Sequence, residues 1–207
     1  MSEVAAEAGV SQGTLYNYVQ SKTALFYLLV DRGLSRRLPA PGHLPVPTPP
    51  MGAILRRLQE QIARTFALPR LDAALSRRRV VDAGAELHAI LSKLYTRTED
   101  TRLGAAAIER SALDLPELAA FFFGTVRADL LERLTRYIQR RMHSAHFRRV
   151  PDAAVAARVM LETITWFARH RHQDPEPMDV DPATIRDTVI AMLVGTLIHE
   201  RHAKRAP

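Results

Sequence analysis

Between Gly9 and Lys22 the segment "GVSQGTLYNYVQSK" sets out hydrogen-bonding groups at the spacing of one short helix: Gln12, Gly13, Thr14, Tyr16, Asn17 and Tyr18. Their chemistry is recognition, not bond-making. A Gln amide pairs bidentately with adenine, a Gly lets the backbone approach a thymine methyl or a phosphate, and Asn17 or Tyr18 reaches bases further along a major groove. Thr14 and Tyr16 offer hydroxyls, and Lys22 a charge, to phosphate oxygens. A Gly turn between two short helices also occurs in proteins that never touch DNA, and composition and spacing alone leave both readings open.

Other chemistries have less support. The absence of Cys removes structural disulfides, thiol nucleophiles and Cys-type zinc sites together. The clusters "RHRHQD" (169–174) and "HERH" (199–202) bring His residues near one another, with His199 and His202 on one helix face. Both fall at expected helix C-termini, where cations are favoured in any case. No carboxylate or Cys framework completes a ligand set, so neither a metal nor a cofactor is expected. No Ser/His/Asp arrangement, Gly-rich phosphate loop or paired-carboxylate motif stands out, and the chain is not expected to be an enzyme. A sensor cavity needs apolar walls with a few polar anchors. His88, Tyr95, Phe122, Met160 and Trp166 are the candidates for lining one, with ordinary core packing as the alternative at each.

These residues need helices to position them, and helix signals dominate the chain while strand signals are almost absent. Ala5 and Ala8 are small where a second helix must cross the first, Gly9 suits a left-handed turn, and Val10 plugs that turn. Ser11 is an N-cap for the next helix, Leu15 and Val19 give it an inward stripe, and Ser21 caps a third helix carrying Leu25, Leu28 and Leu29. The first block runs to residue 37. It is followed over 38–50 by "LPAPGHLPVPTPP", six of the thirteen prolines, which cannot continue a helix and reads as a stiff spacer. A larger helical domain is expected over 51–207, with helices at 51–68, 71–79, 81–98, 102–112, 116–145, 152–171 and 182–204, punctuated by Pro69, Pro116, Pro151 and the loop at 173–182. The last two helices are apolar over more than half their circumference. They are expected to bury one side in their own domain and the other against a second copy through Met160, Ile164, Phe167, Val189, Leu193 and Leu197. The alternative is a pair of core helices in a monomer.

The string "AEAGVSQGTLYNYVQSKTALFYLL" strongly resembles the signature of the TetR family of transcriptional regulators: a Gly-Val-Ser turn, a Gly-Thr-Leu-Tyr recognition helix, and a Ser-Lys cap on the connecting helix. The motif covers about residues 1–34. The remainder resembles the family in being helical, of suitable length, and ending in two apolar helices. The resemblance implies an all-α fold, a short helix-turn-helix DNA-binding module followed by a larger helical ligand-binding and dimerisation domain. It further implies a homodimeric repressor on a palindromic operator, released by a small and largely apolar effector. Carried over by position, Gln12, Gly13 and Tyr18 would read bases, while Thr14, Tyr16 and Lys22 would hold phosphates. Position 18 is Tyr where the family often has His, so an operator preference does not transfer. Family members also carry a helix ahead of the one that opens here. The module is thus expected to be short by one helix, leaving parts of Val4, Leu15, Phe26 and Leu29 without a partner. The alternative function is a dimeric small-molecule-binding or interaction protein that has lost DNA binding.

At 207 residues the chain can build a core without metal or disulfide staples. The net charge of +7 suits nucleic acid in total but not in place. Residues 1–33 hold only Lys22 and Arg32 against Glu3, Glu7 and Asp31; the excess lies in runs such as "SRR" (35–37), "SRRR" (76–79) and "QRR" (139–141), read as helix ends or solvated faces. No apolar run reaches the roughly 18 residues of a membrane span and no signal segment is visible, so a cytoplasmic location is expected.

Overall fold

A computed structural model describes residues 1–35, 42–65, 67–77, 79–113 and 115–198, with side chains left undescribed at 30–35 and 62–65. Among these residues the fold is all-α. The helices are α1 (Ser2–Glu7), α2 (Gln12–Tyr16), α3 (Lys22–Ser35), α4 (Met51–Thr65), α5 (Pro69–Ser76), α6 (Ala83–Asp100), α7 (Arg102–Ala112), α8 (Pro116–Ala119), α9 (Ala128–His143), α10 (Ala153–Ala168) and α11 (Pro182–Leu197). The chain takes π-helical turns over Ala120–Arg127 and a 3₁₀ turn over His170–Gln173. Short polar caps set many of the starts. The side chains of Ser11, Ser21, Asp82, Asp152 and Asp181 each accept the amide three residues on, at 2.8–3.1 Å, satisfying donors that a helix's first turn leaves unpaired. Pro69, Pro116 and Pro182 each occupy a first helical turn, where a missing N–H costs nothing.

Two compact units form, and their limits differ from the expected 1–37, 38–50 and 51–207. Residues 1–65 associate with 101–122, and residues 67–100 with 123–198. In the first unit, α3 packs against both α4 and α7, elements expected in the larger domain. The reason is that α3 has apolar residues on more than one side. Phe26 and Ala24 are buried in this unit together with Ile54, Leu58, Ala105 and Ile108, whereas Val4 and Leu29 stay more than two-fifths exposed. Phe26 is thus covered, contrary to expectation.

In the second unit α6 is central and packs against α5, α10 and α11, while α9 packs on α5 and α10. Leu87, Ile90, Leu91, Leu94 and Tyr95 of α6 meet Tyr137 and Ile138 of α9, Ile164 of α10 and Ile190 of α11 in one core, each almost wholly buried. The Tyr95 hydroxyl donates to the Phe167 carbonyl at 3.2 Å, and Tyr137 meets Phe147 edge to face at 5.6 Å. Arg141 is buried with them. Its guanidinium lies 5.1 Å from the Tyr137 ring centroid and donates at 2.8 Å to both Glu86 and the Ala74 carbonyl, while Arg140 reaches the Leu75 carbonyl. Two arginines of α9 thereby satisfy the terminal carbonyls of α5.

Several helices stop earlier than the periodicity predicts. The helix expected over 71–79 ends at Ser76, leaving Arg77, in extended backbone, and Arg79 outside it. The one expected to reach 171 ends at Ala168. The last ends at Leu197, where Ile198 turns extended and pairs with Phe147, the Arg148 amide donating to the Leu197 carbonyl at 2.8 Å. The non-local pairing begins where the helix ends. Residues 199–204, including His199 and His202, lie outside the described residues, as do positions 36–41 of the Pro-rich stretch.

Candidate nucleic-acid interface

The site starts at Gly9. With φ at +66° it adopts the left-handed conformation that ends α1, the Gly9 amide donating to the Ala6 carbonyl and the Val10 amide to the Ala5 carbonyl. Space around its Cα is open, so conformation and not crowding demands Gly. The chain then turns at Ser11, whose Oγ accepts the Thr14 amide at 3.1 Å and pairs with the Thr14 hydroxyl at 2.8 Å. That capping launches α2 outward.

Of the seven residues expected to meet DNA, Gln12, Gly13, Tyr16, Asn17, Tyr18 and Lys22 are exposed. Thr14 is half-buried, its hydroxyl engaged in the cap. Tyr16 is 42% exposed and Tyr18 56%, large for aromatic rings with nothing to cover them. The helix is shorter than its expected inward stripe implies: it ends at Tyr16, so Asn17 and Tyr18 follow on the turn and Val19 is buried from extended backbone. Leu15 and Val19 still form the inner side, and Gly13 with five polar or aromatic residues the outer.

The Pro-rich stretch is not only a spacer. Val46 pairs in parallel with Val19: its amide donates to the Tyr18 carbonyl at 2.8 Å, and its carbonyl accepts the Gln20 amide at 3.0 Å. The Thr48 amide donates to Gln20 Oε1 at 3.1 Å, and the Thr48 hydroxyl pairs with that of Ser21 at 2.6 Å. Residues 46–48 therefore strap the turn between α2 and α3. The alternation Leu44-Pro-Val46-Pro-Thr48 was the available signal, since Pro at every second position leaves the intervening amides to donate from extended backbone.

The residues expected at a dimer interface are placed differently. Met160, Ile164, Val189, Leu193 and Leu197 are buried in the chain's own core, and Phe167 is partly buried against it. The most apolar stripe of each helix faces inward, because the protomer core is the larger apolar surface to cover. What remains outside is Val155, Val159 and Trp166 on α10 and Met192 on α11, each at least 40% exposed. At i, i+4 and i+11 the α10 residues share one face.

The five residues expected around an effector are likewise dispersed in environment. Tyr95 and Met160 are packed in the core, Phe122 is half-buried, and His88 and Trp166 are exposed. A cavity of about 570 Å³ opens instead beside α5 and α6, lined by Arg70, Ala73, Arg77, Arg79, Val80 and Ala89 among others. The "RHRHQD" residues form another ionic cluster: Arg171 donates to the Phe167 carbonyl at 2.6 Å and to Glu99 at 3.2 Å. Among the described residues no group of three metal-ligating side chains converges, and no helix is long and apolar enough to cross a membrane.

Residues 1–27 match the family model of bacterial regulatory proteins, tetR family. A solved bacterial regulatory protein in the tetR family from Rhodococcus RHA1 has a similar fold, with a TM-score of 0.54 and 18% sequence identity over 94% of this chain and 83% of that one. No curated protein matches the chain.

Proposed function

We propose that the chain is a TetR-family, ligand-responsive transcriptional repressor that binds a palindromic operator as a homodimer. The observation that carries this reading is the outward row of Gln12, Gly13, Tyr16, Asn17 and Tyr18, set on a capped helix and a strapped turn with Lys22 beside it. Gln12, Gly13, Asn17 and Tyr18 read bases; Thr14, Tyr16 and Lys22 hold phosphates.

The dimer forms through the outward face of α10 and α11. Val155, Val159, Trp166 and Met192 offer apolar area that a two-fold contact covers, and α10 and α11 pack on each other within the protomer, so two pairs make a four-helix seam. Two recognition helices then enter successive major grooves when they sit about 34 Å apart. An effector that changes that separation needs a coupling of only about 1–3 kcal/mol to switch occupancy.

The test is a mobility-shift titration against DNA flanking the chain's own gene. A sequence-selective, salt-dependent complex is expected, weakened about 5- to 150-fold by Gln12→Ala or Tyr18→Ala, the equivalent of about 1–3 kcal/mol per base contact. Met192→Glu is expected to give a folded monomer by sedimentation with the same loss. Absence of any sequence-selective complex refutes the repressor reading and leaves the dimeric binder without DNA.

A further inference from the structure

We propose that the cavity beside α5 and α6 is a binding site for a small organic carboxylate with an apolar body. Three observations converge there. Arg70, Arg77 and Arg79 all line the cavity, and none of them forms an ion pair among the described residues. Like charges gathered on one lining repel one another, and an anion relieves that repulsion.

Second, the acids at the cavity do not cancel the arginines. Glu86 is held by the buried Arg141 guanidinium and accepts the Tyr137 hydroxyl at 3.1 Å, so its charge is already compensated from behind. Asp82 uses one carboxylate oxygen to cap α6 at the Ala85 amide, leaving it as the only other acid on the lining. Three guanidinium groups against Asp82 leave a clear positive excess.

Third, the remaining walls are apolar: Pro69, Ala73, Val80, Val81, Ala85 and Ala89. The volume of about 570 Å³ falls within the range of small-molecule sites. A planar guanidinium fork selects carboxylate by paired hydrogen bonds, and the Ala and Val walls select an aryl or short acyl body over a bare inorganic anion. Arg77 and Arg79 are available because α5 stops at Ser76 and both lie on the connection before α6.

The site deepens the effector reading and rests on it only for its regulatory consequence. Calorimetric titration of the DNA-free chain with benzoate and hexanoate tests the binding directly, with benzamide, hexanamide and sodium sulfate as comparisons. Saturable binding of the carboxylates is expected, about tenfold or more tighter than the amides or sulfate. The exposed double variant Arg70→Gln/Arg77→Gln is expected to lose it by a similar factor, with Arg136→Gln, outside the cavity, unchanged. Equal binding of the amides, retention in the double variant, or no saturable binding of either carboxylate overturns the site. In a parallel mobility shift, carboxylate binding that leaves the operator complex untouched upholds the site and refutes the effector reading alone.

Discussion

Replacing Arg141 with Met asks how much of the second unit hangs on one buried cation. Arg141 is 3% exposed and Glu86 14%, so both charges sit largely out of water. The substitution keeps most of the apolar stem but removes three interactions: the 2.8 Å bond to Glu86, the 2.8 Å bond to the Ala74 carbonyl, and the cation over the Tyr137 ring. Glu86 is then left with the Tyr137 hydroxyl as its donor there, and the end of α5 loses a cap. Breaking one side of a buried pair costs about 3–5 kcal/mol, mostly through the stranded charge. At about 2–4 °C per kcal/mol for a chain of this size, Tm falls by roughly 6–20 °C. Glu86→Gln alone strands the guanidinium and is expected to cost a comparable amount. The double variant Arg141→Met/Glu86→Gln strands neither, so it is expected to be more stable than Arg141→Met by about 1–3 kcal/mol. Urea unfolding followed by circular dichroism gives all three values. Strict additivity, or a loss under about 1 kcal/mol for Arg141→Met, refutes the claim that this pair ties α5 to α6 and α9.

Two other expectations follow from single side chains. Burial pushes the Tyr95 and Tyr137 hydroxyls above the ordinary value of 10.0, with Glu86 adding to the effect at Tyr137. The folded chain keeps protons that the unfolded chain loses, so this stabilisation is intact below pH 10 and declines as the pH rises above it. Phenolate absorbance of the folded chain should therefore show two of the five tyrosines titrating above pH 10, and their titration near pH 10 would contradict the packing described. Ser11→Ala removes the cap of α2 and is expected to cost about 1 kcal/mol, to speed hydrogen exchange at the Thr14 amide, and to weaken DNA binding. Unchanged exchange at that amide would show that the cap does not hold the helix.

The opening module was legible because its rules are local. A left-handed Gly9, a capping Ser11 and a capping Ser21 act within three or four residues, and each is found where its neighbours require it. Proline and Asp marked the starts of α5, α8, α10 and α11 for the same reason. Periodicity then identified which residues of α10 and α11 are apolar but could not say which apolar side faces inward. The stronger stripe, Met160, Ile164, Val189, Leu193 and Leu197, went to the core and left Val155, Val159, Trp166 and Met192 outside. The "SRRR" run read as a helix end, whereas the place of Arg77 and Arg79 on one cavity depends on where α5 stops and how the chain returns to α6. The pairing of Val46 with Val19 and of Phe147 with Ile198 joins residues 27 and 51 positions apart, and neither position carries a local signal for its partner.

The strap over the turn after α2 also makes a mechanical linkage. Only Pro49 and Pro50 separate Thr48, bonded to Gln20 and Ser21, from Met51, the first residue of α4. Three residue steps span at most about 10 Å, and two prolines take up little slack. The N-terminus of α4 is therefore leashed to the turn that follows α2. A shift of α4 of more than a few ångströms either drags that turn with it or peels the strap away, so the position of α4 acts as a lever on how Asn17 and Tyr18 are presented.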